Sequence, residues 1–103
     1  MRKIPIEAKI HQALTGVLNL MGLKEPKDVT IRNAYLCRYT GKGYITEHTK
    51  TTCQPLNPIA AAKMKRYRAL FEQRLEDLKG YSVEVVHDPE SKRLLRIIVS
   101  KRN

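Results

Sequence analysis

Between Leu56 and Gly80 the apolar residues recur at helical spacing. At about 100° per residue, Ala60, Met64, Tyr67, Phe71, Leu75 and Leu78 fall on one narrow stripe, which predicts a single amphipathic helix. Asn57 is placed to cap its free N–H groups, and Pro58 at the first helical position loses no hydrogen bond. Gly80 supplies the stop. Lys63 and Arg74 border the stripe on one side and Arg68 on the other, with Lys65 and Arg66 further out. A second helical pattern covers residues 5–21, where Ile6, Ile10, Ala13, Leu14, Val17 and Met21 share a face that Leu18 broadens. Met21-Gly22-Leu23 suits a glycine stop with an apolar residue folding back on the last turn. Gly16, inside this helix, is expected to allow close packing against the other one.

The remaining segments alternate at period two. From Val29 to Tyr39, Val29, Ile31, Tyr35, Cys37 and Tyr39 share a face expected to be buried. Thr30, Arg32, Arg38 and Thr40 share the other. Gly41-Lys42-Gly43 is a turn, residues 44–49 return as a strand, and the polar, Thr-rich stretch 50–55 is expected to be a loop. Residues 81–87 form a third strand, and Asp88-Pro89-Glu90-Ser91 has the composition of a type I turn. Residues 93–100 form a fourth strand, with Leu95, Ile97 and Val99 on one face. Parity then pairs Val85 with Leu95, Val83 with Ile97, Tyr81 with Val99 and Glu84 with Arg96. Lys101-Arg102-Asn103 is a basic end expected to fray.

The order is therefore α-β-β-α-β-β, an α+β chain. Its simplest architecture is an antiparallel four-stranded sheet with both helices packed on one face and the other face open. The two halves share an order, a pseudo-repeat of topology only. At 103 residues the chain is one small domain, 1–103. It has no Trp and one Phe, so the core is modest and open to help from a second copy of the chain, as a homodimer.

Charge changes the picture more than composition does. The net charge is +10, divided equally between residues 1–56 and 57–103, so it belongs to the folded surface rather than to a tail. That exceeds what solubility requires of a small domain, and it attracts phosphate backbones or acidic proteins. The N-terminal residues lack the apolar run of a signal peptide, no stretch approaches transmembrane length, and two cysteines make no disulfide framework. A cytoplasmic location without membrane association is expected. Membrane-surface binding is disfavoured because the apolar stripes are needed for the core.

Catalytic chemistry finds little to use. Cys37, His48 and Cys53 lack the close ligand pairs of structural zinc, and no Cys sits at a helix start where its thiolate would be activated. Cys37 is expected to be buried on its strand and Cys53 to sit in a loop. Glu72, Glu76 and Asp77 are balanced by Arg68, Arg74 and Lys79, and the other carboxylates are scattered. The expectation is a non-enzymatic protein with no cofactor and no metal.

Phosphate recognition fits better. Around the Gly41-Lys42-Gly43 turn, Tyr35, Arg38, Tyr39, Lys42 and Tyr44 interleave aromatic rings with cations, the chemistry by which single strands stack and neutralise their phosphates. Face parity leaves only Tyr44 of these rings free. The expected nucleic-acid surface is Lys63, Lys65, Arg66 and Arg68 on the second helix, extended by Arg38, Lys42 and Tyr44. The leading expectation is a nucleic-acid-binding protein or accessory factor, for DNA or RNA, held mainly by phosphate contacts. The alternative is a small adaptor or inhibitor that docks on an acidic protein through the open sheet face and the off-stripe Leu70. The order of elements is not the α-β-β-β-α of double-stranded-RNA-binding domains, and the two helices are too far apart in sequence for a helix-turn-helix.

Overall fold

The computed structural model describes residues 4–102. Its elements are α1 (Ile6–Leu20), β1 (Val29–Tyr39), β2 (Tyr44–Pro55), α2 (Pro58–Arg66), α3 (Arg68–Glu76), β3 (Tyr81–His87) and β4 (Leu94–Lys101). The four strands form one antiparallel sheet in the order β1-β2-β4-β3, so the α+β architecture holds, with three helices rather than two. The second strand of each half lies at the centre, and the halves meet there as two hairpins side by side.

The helix boundaries follow from their local chemistry. Leu23 N–H donates to Leu18 O at 2.9 Å and Gly22 N–H to Asn19 O at 3.1 Å, a Schellman stop around a glycine at φ 73°. Leu23 is buried, as its place in that motif demands. Asn57 Oδ1 accepts from Ala60 N–H at 2.7 Å, and Pro58 starts α2. Asn57 Nδ2 also donates to Asp28 Oδ1 at 3.3 Å, while Asp28 Oδ2 accepts from Lys24 N–H at 3.0 Å. Asp28 thus ties the start of β1 to the start of α2, and the Lys24 amide in particular holds its carboxyl below the usual range.

The expected single helix breaks at Tyr67, whose backbone (φ −106°, ψ 26°) ends α2 and starts α3. No Gly or Pro lies nearby to cause it. The two segments have different supports: α2 lies on β2 and β4, whereas α3 lies on α1 and β3. Breaking the helix lets Ala60, Ala61 and Met64 face one and Phe71 and Leu75 the other, all buried. Tyr67, which the stripe assigned to the core, is turned outward.

Four further expectations are corrected. Residues 50–55 are strand, not loop: Thr51 and Cys53 are buried and paired with Asn33 and Ile31 on one side. On the other side they pair with Val99 and Ile97. β-Branched threonines favour this conformation. On β4 the buried residue is Leu94 rather than Leu95, because a bulge opposite Val86 and His87 leaves Leu95 unpaired and facing out. The β3–β4 register keeps the expected parity but is shifted by two: Val85 pairs with Ile97, Val83 with Val99, Tyr81 with Lys101 and Glu84 with Ile98. Lys101 belongs to β4 and Arg102 N–H donates to Gly80 O at 2.7 Å, so this end is held, while Asn103 lies outside the described residues.

The helices cover the sheet face made by Val29, Ile31, Thr51, Cys53, Ile97 and Val99. The uncovered face carries Thr30, Arg32, Lys50, Thr52, Gln54, Ser82, Glu84, Arg96, Ile98 and Ser100. It is mainly polar and basic, with Ala34, Val86 and Ile98 as its apolar residues. Leu70, which lies off the apolar stripe, is partly buried and packs against the core.

Two stability measurements check this core. Phe71 is fully buried, and Phe71→Ala is expected to cost about 3–5 kcal/mol, read as a lower denaturation midpoint. Gly16 is exposed, and a Cβ added there meets nothing within 4 Å, so the close helix approach expected of it is not made. Gly16→Ala is therefore expected to stabilise the protein by about 0.5–1 kcal/mol, with an unchanged or lower melting temperature counting against an open site.

A candidate nucleic-acid interface on a projecting hairpin

β1 and β2 have 11 and 12 residues, whereas β3 and β4 have 7 and 8. β2 pairs with β4 only through Lys50, Thr51, Thr52 and Cys53. Beyond that seam residues 35–48 have no strand neighbour but each other, and they project as a two-stranded arm. Six residues at about 3.4 Å each carry it about 20 Å past Asn33. The molecule is correspondingly elongated, 47 Å along its longest axis.

The arm is set at its root by a bulge. The register shifts between Ala34 and Tyr35, leaving Thr49 as the extra residue, and Thr49 Oγ1 donates to Ala34 O at 3.0 Å. On the helix side of this bulge lies a polar chain that runs from the exposed Asn33 to the buried Thr51 and His48. Thr51 Oγ1 donates to Asn33 Oδ1 at 2.6 Å and lies 2.7 Å from His48 Nε2. With the Thr51 hydrogen directed at Asn33, Nε2 is the protonated nitrogen of His48. Nδ1 is then an acceptor, buried and without a partner among the described residues. The ring is only 8% exposed, edge-on to Tyr35 at 5.8 Å and tilted against Tyr81 at 6.1 Å. Burial pushes the His48 pKa below 6.5, against the pull of Glu7 at the start of α1. Burial likewise raises the Tyr81 phenol, with Glu7 adding to it.

Past the bulge the helix-side face continues as a ladder: Tyr35 opposite His48, Cys37 opposite Thr46, and Tyr39 opposite Tyr44. Face parity assigned Tyr35, Cys37 and Tyr39 to the core. They keep that face, but no helix reaches it, so Tyr35 is 49% exposed, Tyr39 63% and Tyr44 75%. The Tyr39 and Tyr44 rings touch at 5.3 Å between centroids. The cysteines exchange their expected environments. Cys37 is exposed, and Cys53 is buried on a strand, where loss of hydration pushes its thiol up to about 12.

Gly41 and Gly43 stand at φ 87° and 141°, conformations that the turn requires and that side chains resist. Lys42 at the tip is exposed and makes no salt bridge among the described residues. On the opposite face of the arm Arg38 is paired with Glu47 at 2.6 Å, beside the exposed Leu36 and Ile45.

The helix cations are not part of this surface. α2 begins just past Pro55, at the end of the sheet away from the arm. Lys63 is partly buried and donates to Met21 O at 3.2 Å, a contact between α2 and the end of α1. Arg68 faces Glu72 at 3.4 Å on its own helix. Arg66 lies 5.7 Å from the Tyr67 ring centroid, and Lys65 donates to Lys92 O at 3.0 Å, beside Arg93 and the β3–β4 turn. The expected site therefore divides into two: Arg38, Lys42 and Tyr44 on the arm, and Lys65 and Arg66 at the far end. Tyr35 and Tyr39 join the first group. The mismatch in strand lengths was the signal that could have found them.

Comparison with known proteins finds no match: no family model, no curated protein and no solved structure resembles the chain. Among the described residues no group of three or more His, Cys, Asp or Glu side chains comes together, and no helix is long and apolar enough to cross a membrane.

The environment of His48 has a measurable consequence. In the unfolded chain its imidazole takes up a proton near the ordinary pKa of about 6.5, whereas the folded, buried ring resists protonation to lower pH. The unfolded state then binds more protons, so stability rises with pH through this window and levels off above it. Denaturant unfolding at pH 5 and pH 7.5 should show a steeper loss on acidification for the parent than for His48→Gln. Equal pH dependence would show that the ring is not buried in its neutral form.

Proposed function

We propose that this is a non-catalytic nucleic-acid-binding protein, held mainly by phosphate contacts, whose primary surface is the projecting hairpin. The observation that carries the reading is the arm itself. It bears exposed tyrosines in register on one face, with an unpaired lysine at its tip, in a chain of net charge +10. Exposed rings of this kind suit unpaired bases, because every base has a face to stack and stacking contributes about 1–3 kcal/mol per base. Cations supply the sequence-independent part of the affinity. Single strands, of DNA or RNA, are favoured over duplex because the rings have nothing to stack on in a closed helix. Lys65 and Arg66, with Lys92 and Arg93 nearby, form a second basic surface suited to phosphate contacts alone.

A salt titration of binding to single-stranded DNA, RNA and duplex DNA tests the reading. Affinity should be highest for single strands and should fall linearly on logarithmic axes, by about 0.7 per phosphate neutralised. Absence of binding even at low salt would refute it. Tyr39→Ala with Tyr44→Ala should lower single-strand affinity by about 1–3 kcal/mol for each base that loses its ring. Lys65→Glu with Arg66→Glu should leave the melting temperature nearly unchanged, as exposed substitutions shift stability by about 0.5 kcal/mol or less. The charge reversal should reduce the salt slope while preserving the preference for single strands. Loss of that preference with Lys65 and Arg66 reversed, and none with the tyrosines removed, would place the interface at α2 instead.

A further inference from the structure

We infer that the arm holds a slot for one unstacked base of a single strand, over Cys37 and Thr46, between the Tyr39/Tyr44 rung and the Tyr35/His48 rung. This rests on the nucleic-acid reading above and specifies where the base goes. Three consecutive cross-strand pairs on the helix-side face of the arm are large, small, large. Successive pairs on one face stand about 7 Å apart, so the two aromatic rungs are about 14 Å apart with a shallow gap between them. Stacked nucleotides repeat at about 3.4 Å, so the gap is wider than a single base requires, and a base seated over the small middle rung lies against one aromatic rung. Cys37, in the middle rung, is open to solvent.

The rim of the gap favours a heteroaromatic guest over an aliphatic one. The hydroxyls of Thr46, Tyr35 and Tyr44 make no hydrogen bond among the described residues, and all three are available to base edges. The charge around the arm favours an anionic chain. Lys42 stands at the tip, and Lys101, which pairs with Tyr81 on the helix-side face, stands near the root beside Arg102. Against them stand Glu7 near His48, and Glu47, which Arg38 already neutralises on the other face. A phosphate backbone laid along the arm meets cations at both ends while its bases turn toward the rings. A peptide of acidic residues would satisfy the cations but leave the rings and the gap unfilled.

Cys37 provides the probe, since Cys53 is buried with its thiol held protonated and does not compete for label. Maleimide labelling of the parent protein would be followed alone, with an oligothymidylate, and with an abasic oligonucleotide of the same length, both at saturation judged by anisotropy. The oligothymidylate should slow Cys37 labelling in proportion to its occupancy, and the abasic strand should not. Cys37→Leu, which fills the gap with a side chain on which no base stacks, should lower oligothymidylate affinity by about 5- to 150-fold, the value of one stacked base, and leave abasic-strand affinity unchanged. Tight oligothymidylate binding with Cys37 still freely labelled would overturn the slot while leaving the binding function standing. Binding of neither strand at low salt would overturn both. Protection that rises with protein concentration and needs no oligonucleotide would give the face to a second copy of the chain, and would overturn the slot as well.

Discussion

Everything in this fold depends on four cross-strand pairs, Lys50, Thr51, Thr52 and Cys53 of β2 against Ser100, Val99, Ile98 and Ile97 of β4. Without them the chain is two separate hairpins, and an isolated hairpin is marginally stable in water. With them the inner faces merge, so that Cys53, Ile97, Val99 and Thr51 form a continuous floor for the helices. The seam also explains the division of the second helical segment. One part must roof the seam itself, the other must reach α1 and β3, and a straight helix does not serve both. Because the seam is short, everything in β2 before Lys50 leaves the sheet and becomes the arm.

The sequence revealed elements better than faces. Helix ends were legible because each is fixed by a few local hydrogen bonds, such as those of Gly22, Leu23 and Asn57. Strand faces were read by counting, and counting assumes an unbroken phase. Two bulges break it: one makes Thr49 the extra residue of β2, and the other leaves Leu95 unpaired on β4. Each is selected by tertiary packing, so that Leu94 rather than Leu95 enters the core. The same holds for the strand over 50–55. Its polarity suggested a loop, yet its threonines are half inside, one of them hydrogen-bonded to Asn33 and His48.

The candidate site was legible in composition but not in position. Tyrosines interleaved with cations around a Gly-Lys-Gly turn marked the segment that projects from the sheet, and parity then assigned Tyr35 and Tyr39 to the interior. A face is buried only where something lies on it. The helices end short of the arm, a fact of length rather than of pattern. The cations were misjudged in the opposite sense, since a helical wheel cannot see a carbonyl on another element. Lys63 looked free and is engaged by Met21 at the end of α1.

The polar chain at the arm's root links these observations. His48 and Thr51 are buried polar side chains where apolar ones would have been simpler, tied to the exposed Asn33, and one His48 nitrogen has no partner among the described residues. Buried polar groups are costly unless satisfied, but a directed hydrogen bond fixes orientation where apolar contacts slide. That fixity matters at this place above others. A ribbon joined to its domain by backbone alone would sample many directions, and binding would have to order it at an entropic cost. Clamping His48 between Tyr35 and Tyr81 while anchoring Thr51 to Asn33 couples the first aromatic rung to the sheet on both sides. The rungs beyond it then inherit their position from the ladder, so the projecting surface is preorganised although nothing packs upon it.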